Sequence, residues 1–201
     1  MVYWTIQHKD VIDVLNKQGT YYPDFEKSPQ VHRETYDRLL SVFNEFNKTE
    51  YKGLVFCLAK DGRIDKSLTF HDEADFAEYM KARLGVLRAL NNGAYPLLDD
   101  NHLLCRIETD KFDQQWLCIV DFWNFVMMDG TCQSQYEMCR PSIPFLENVS
   151  YDDFVELAWK MMRECKMFRP LMSSTIFQAN IPYIEQDMVK GTYSLESLVN
   201  A

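Results

Sequence analysis

The feature that most constrains this chain is the irregular interleaving of its strand-like and helix-like runs. "VYWTIQ" from Val2, "GLVFCLAK" from Gly53, "HLLCRIE" from His102, "QWLCIVD" from Gln115, "STIFQANI" from Ser174 and "KGTYSL" from Lys190 are apolar or alternating segments of strand length. Helical stripes fall between some of them and not others. A doubly wound parallel sheet needs strand and helix to alternate, so the pattern predicts an α+β fold: one domain over residues 1–201, a mixed and mostly antiparallel sheet, and four to five helices.

The boundaries have chemical causes. Val11, Ile12, Val14 and Leu15 repeat at helical spacing up to Gly19, which can adopt the left-handed conformation that closes a helix. Ser28-Pro29 starts a second helix with the stripe Tyr36, Leu39, Leu40, Phe43 and Phe46, ending near Asn47. Asp61-Gly62 is a turn, with Ile64, Leu68 and Phe70 as a return strand. Acidic residues Asp72, Glu73 and Asp75 open a third helix that runs to Asn91-Asn92-Gly93, and "FWNFVMM" forms a short aromatic helix before Gly130. Ser150 and Asp153 resemble a capping box ahead of the stripe Phe154, Ala158, Met161, Cys165 and Phe168. Pro182 confines the residues after it to an edge or a bend. From Thr131 to Asn148, with Pro141 and Pro144, the chain reads as a long irregular loop, the best candidate for a lid or a partner contact.

Charge narrows the partners. With Lys and Arg numbering 21 against 30 Asp and Glu, the net charge is -9 and the pI about 4.9. Phosphate-backbone affinity comes from cations that release counterions, so direct nucleic-acid binding is disfavoured and a protein partner with a basic surface is favoured. No apolar run reaches the ~18 residues of a membrane helix, and Gln7 to Asp10 interrupt the start, so the expected location is the cytoplasm. The six cysteines, Cys57, Cys105, Cys118, Cys132, Cys139 and Cys165, lie mostly in apolar runs and read as reduced core thiols.

Familiar catalytic motifs are missing. Phosphate loops, dinucleotide-binding glycine patterns, nucleophile elbows, H-E-x-x-H and C-x-x-C do not occur. His102 and Cys105, near Asp99 and Asp100, would point to opposite faces of a strand, and His71 with Asp75 fits an acidic helix start, so no metal and no cofactor are expected. Lys160, Arg163, Lys166 and Arg169 read as a solvated helix face, and Trp116, Phe122, Trp123 and Phe125 as core. What remains is polar strand chemistry. Tyr3, Thr5 and Gln7 share one face of the first strand, Gln178 and Asn180 share a face of a late one, and Tyr21-Tyr22 come after the first helix. Such groups form either a buried network that fixes strand register or the lining of a cleft. The expected partner of the Gln7 amide is Tyr22 or the late strand near Gln178.

"WTIQ" at Trp4 to Gln7, "GTYYPD" at Gly19 to Asp24, Tyr36-Asp37 and "FQANIPYIEQDMV" from Phe177 resemble the bacterial domain-of-unknown-function family 3841. That family has no settled activity, so the resemblance implies fold boundaries. More distantly, the order of first strand, helix, Tyr21-Tyr22 and a late strand with Gln178-x-Asn180 is similar to the ADP-ribosyltransferase-like fold. That resemblance implies a site for NAD around Trp4, Thr5, Gln7, Tyr21, Tyr22, Gln178 and Asn180. Trp4 stands where the fold's first motif has His or Arg, and Asn180 near the place of its catalytic glutamate. A neutral amide stabilises developing positive charge poorly. The first reading is therefore a binding or regulatory protein with an acidic surface, of the kind found in genetic-conflict systems, and the second an NAD-dependent ADP-ribosyltransferase-like enzyme acting on protein or nucleic acid.

Overall fold

The computed structural model describes residues 2–27, 33–60, 74, 78, 101–112, 117–119, 136, 137, 140–142, 144–164, 167, 168 and 176–194. In chain order its strands are β1 (Val2–His8), β2 (Thr20–Tyr21), β3 (Val55–Lys60), β4 (His102–Glu108), β5 (Leu117–Ile119), β6 (Met167–Phe168), β7 (Ile176–Ile181), β8 (Ile184–Glu185) and β9 (Val189–Ser194). Three α-helices are delimited among the described residues: α1 (Lys9–Gln18), α2 (Arg33–Asn47) and α3 (Tyr151–Glu164).

Five of the strands form an antiparallel stretch in the order β7-β3-β1-β4-β9, and β5 and then β6 extend it beyond β7. The β5 to β6 pairing is parallel, so the sheet is mixed and mostly antiparallel, as the run pattern predicted. The first strand of the chain sits between β3 and β4, and this central place explains its burial. Tyr3, Trp4 and Thr5 are consecutive and all buried. Successive side chains point to opposite faces, so both faces of the sheet are covered there. Alternating antiparallel strands commonly keep one face wet; at the centre of β1 neither is wet.

Local chemistry sets the helix ends. His8 caps α1 by accepting from the Asp10 amide through Nδ1, and Gly19, at φ 77°, closes it with its own amide on the Leu15 carbonyl. Val11 and Leu15 are the buried residues of α1. They share a core cluster with Tyr3, Cys57, Ile107 and Ala179 of the sheet, Leu39, Val42 and Phe43 of α2, and Trp159 of α3. α2 ends at Asn47 as predicted, and its residue Asn44 organises the link to β3: the side-chain oxygen accepts from Thr49 Oγ1 and the Tyr51 amide, and the side-chain nitrogen donates to the Tyr51 carbonyl. Gly53 precedes β3 because the Pro23 backbone crosses it, with carbonyl carbon and oxygen 2.8 Å from where a Cβ would stand. At α3 the Ser150 hydroxyl accepts from the Asp153 amide, completing the predicted cap.

Several expectations are corrected. Three helices are described where four to five were expected; Ala74 and Glu78 are helical, but the rest of the third helix, the 61–70 hairpin and the aromatic helix lie outside the described residues. α3 stops at Glu164, and Phe168 belongs to the short strand β6, so it is not the last member of the helical stripe. Trp159, absent from that stripe, is the fully buried anchor of α3, with the Arg38 guanidinium 4.8 Å over its ring. Of the 131–148 segment, expected as a long irregular loop, only part lies within the described residues. It holds helical turns at Arg140–Ser142 and Pro144–Leu146, and Tyr136 and Leu146 are buried. The Tyr136 hydroxyl and Arg140 both donate to the Val149 carbonyl, which ties the segment to the start of α3.

Candidate functional site

The residues proposed from sequence divide into three groups. Trp4 pairs with Leu58 of β3, Leu58 with Gln178 of β7, and Phe56 with Asn180. Register therefore puts Trp4, Gln178 and Asn180 on one face of the sheet and Thr5 and Gln7 on the other. Tyr21 and Tyr22 belong to neither. The set does not converge on one cleft.

On its own face Thr5 is 3% exposed, and its hydroxyl is used twice. It donates to the Phe56 carbonyl at 2.7 Å and accepts from Gln7 Nε2 at 2.8 Å. Gln7 thus answers to a residue two positions before it on the same strand, not to Tyr22 or to the late strand as expected. The period-two pattern that placed the amide beside Thr5 also brought it within reach. Cys105 lies directly across from Thr5 on β4, and Cys57 comes directly after the carbonyl that Thr5 binds. Burial, above all, pushes both thiols up, Cys105 to about 12 and Cys57 further. Both are buried and outside any disulfide, and held neutral they act as small apolar groups. The side chain of Cys118, and Cys132, Cys139 and Cys165, lie outside the described residues.

On the opposite face Trp4 is fully buried, its ring 6.2 Å from that of Tyr193 and 5.9 Å from the Arg106 guanidinium. Asn180 is 5% exposed, and among the described residues neither its side-chain oxygen nor its nitrogen has a hydrogen-bond partner. The Gln178 side chain lies outside the described residues; its backbone pairs with Leu58 and Cys118.

The third group opens to solvent. After Gly19 closes α1, the two residues of β2 pair with β8, Thr20 with Glu185 and Tyr21 with Ile184, and the Gln186 amide donates to the Gly19 carbonyl. Gly19, Thr20, Glu185, Gln186 and Asp187 line an open depression of about 420 Å³. Beside it Tyr22 is 61% exposed, its ring 5.5 Å from that of Tyr183. Tyr183 in turn meets Phe112 at 5.1 Å and Tyr51 at 6.3 Å. Pro23 biases the Tyr22 before it to extended backbone, and Pro182 makes the bend that precedes Tyr183.

The electrostatics of this corner are organised by carboxylates. Lys111 Nζ donates to Glu185 and lies 4.0 Å from Asp187 Oδ2; the bond to Glu185 is the main cause raising the lysine pKa. Burial first, and then the Glu185 charge, raises the Tyr183 phenol. Burial and then Asp24 raise Tyr21. All these groups keep their neutral-pH charge state: phenols protonated, ammonium charged. The corner offers aromatic faces, phenolic hydroxyls and carboxylates, of which Asp187 is 74% exposed. Such a surface suits a cationic side chain, which aromatic faces and carboxylates both attract.

Sequence patterning singles out Tyr21 and Tyr22 and misses Tyr183, Glu185, Asp187 and Lys111. A signal was present: "YYPD" and "IPYIEQD" both combine tyrosine, proline and acid. Nothing local shows that they meet. Among the described residues no three His, Cys, Asp or Glu side chains gather as a ready metal site, and no helix is long and apolar enough to cross a membrane. The chain matches no family model, no curated protein and no solved structure. The likenesses to family 3841 and to the ADP-ribosyltransferase fold therefore rest on their quoted residues alone.

Proposed function

We propose that this protein works by binding another protein in the cytoplasm, taking a basic segment of its partner against the β2–β8 corner. The observation that carries this reading is the exposed Tyr22 ring packed on Tyr183, next along the chain from the β2–β8 pairs whose Thr20 and Glu185 line a depression with Asp187. Large aromatic rings held rigid at a surface supply contact area at little cost in side-chain entropy, and exposed tyrosines next to charge are typical of binding hot spots. An overall charge of -9 adds long-range attraction for a cationic partner and speeds the encounter. The same corner disfavours phosphate, because the lysine it contains is already engaged by two carboxylates.

The experiment is a fluorescence-anisotropy titration with a labelled Arg/Lys-rich peptide, against wild type and the double variant Tyr22→Ala/Asp187→Asn. Wild type should bind, more weakly as salt is added, since exposed charges further apart than ~8 Å are screened at physiological ionic strength. The variant should lose most of that affinity while keeping its denaturation midpoint. Equal binding by both proteins contradicts the reading. Thermal stabilisation by NAD, with no response to the peptide, turns the choice to the ADP-ribosyltransferase-like enzyme.

A further inference from the structure

If the β2–β8 corner is a binding surface, as proposed above, its carboxylates already hold a cation, and that cation is the chain's own. Lys111 follows β4 in a turn where its amide donates to Thr109 Oγ1, and the next side chain, Phe112, packs on Tyr183 at 5.1 Å. This carries the ammonium to two carboxylates at once. Its Nζ donates to Glu185 Oε2 but stops 4.0 Å from Asp187 Oδ2, so one hydrogen bond is made and a second is missed. An ammonium is a compact point charge, whereas a guanidinium carries five N–H donors on a planar fork and can serve two acceptors together. We propose that an arginine of the partner displaces Lys111 and bridges Glu185 and Asp187.

The exchange is open to solvent on both sides. The side chains of Lys111 and Asp187 are 46% and 74% exposed, and Glu185 and Asp187 both line the depression, so an incoming side chain reaches them without disturbing the core. A solvated ion pair contributes little, and the displaced Lys111 ammonium regains its water. Two cations on one carboxylate repel, which is why Lys111 must leave. A partner lysine would offer Glu185 no more than Lys111 does, so Lys111 acts as a built-in competitor that sets the corner's preference for arginine. The nearby Lys190 has a different place: its Nζ donates to the Asp187 backbone carbonyl at 2.6 Å. It carries the same charge and supplies the control.

The test titrates the full chain with two labelled peptides of one sequence, carrying arginine or lysine at every basic position, and reads fluorescence anisotropy. Wild type should bind the arginine peptide up to about fivefold more tightly, the size of one added exposed ion-pair bond. Asp187→Ala should remove that preference; Asp187→Asn, closer in size, serves if the alanine variant does not fold. Lys111→Gln should tighten the arginine peptide more than Lys190→Gln does, although each variant loses one positive charge. Equal wild-type affinity for the two peptides overturns the proposal. So does a preference that survives in both Asp187 variants, or an equal effect of Lys111→Gln and Lys190→Gln. Failure of wild type and of Lys111→Gln to bind either peptide is a different result, which overturns the binding role of the corner and the bridge with it.

Discussion

The centre of β1 and the β2–β8 corner use the same kinds of side chain to opposite ends. At the centre, Trp4 and Thr5 are sealed by packing on both faces of the sheet, and the Thr5 hydroxyl is occupied by Phe56 and Gln7. At the corner, Tyr22 and Asp187 face solvent beside a depression that packing does not fill. Residues that read alike in sequence, an aromatic next to a polar group, are thus structural in one place and available in the other. The difference comes from position in the sheet: a central strand has neighbours on both edges, whereas a two-residue strand cannot be covered by its own pairing.

The largest expected effect tests the sealed side. Trp4→Ala should cost about 3–5 kcal/mol, because the lost ring leaves a cavity on its buried face of the sheet that the packing around it cannot close. A urea midpoint close to wild type would mean that the centre is open. Next come two glycines. Gly53→Ala drives a Cβ into the Pro23 backbone, which cannot step aside without moving the chain that carries Tyr21 and Tyr22, and should cost about 1–3 kcal/mol. At Gly191 the space is filled by the end of the Tyr193 side chain, which can rotate away, so Gly191→Ala should cost less. Equal midpoints for the two variants would show that the Pro23 crossing is loose.

Smaller effects sort the polar groups. Thr5→Val strips the Phe56 carbonyl and the Gln7 amide of one partner each, at about 1–3 kcal/mol for a group left buried and unpaired. Gln7→Leu leaves the Thr5 to Phe56 bond intact and should cost less than Thr5→Val; the reverse order would mean that Gln7 has a second, stronger partner. Asn180→Leu should be neutral or stabilising, since the amide it removes makes no hydrogen bond among the described residues. A loss of stability there would reveal a partner for Asn180, with bound water the first to look for.

Much of the fold was legible in the sequence. β4 was read residue for residue, the end of α1 from Gly19, the end of α2 from Asn47, and the start of α3 from Ser150 and Asp153. These depend on local pattern and capping chemistry. Strand order was not legible, because pairing β9 with β4 or β7 with β3 is settled by long-range packing, which leaves no mark on a single run. The division of the candidate residues came from β1 being central: alternation alone separates Trp4 from Thr5, but only register shows that Asn180 sides with Trp4. The corner was half legible. Tyr21 and Tyr22 stood out after the helix cap, while β2 and β8 are two residues each and too short to carry a period. Their meeting, and with it Tyr183, Glu185 and Lys111, came only from the folded chain.

The claim that the corner binds while the centre holds the fold is tested most directly by one paired measurement on Tyr22→Ala: its denaturation midpoint and its affinity for the Arg/Lys-rich peptide. An exposed ring contributes within about 0.5 kcal/mol to stability, so the midpoint should stay at the wild-type value while peptide affinity falls. A variant that loses stability and keeps its affinity would contradict the account, because Tyr22 would then belong to the core and the binding surface would lie elsewhere.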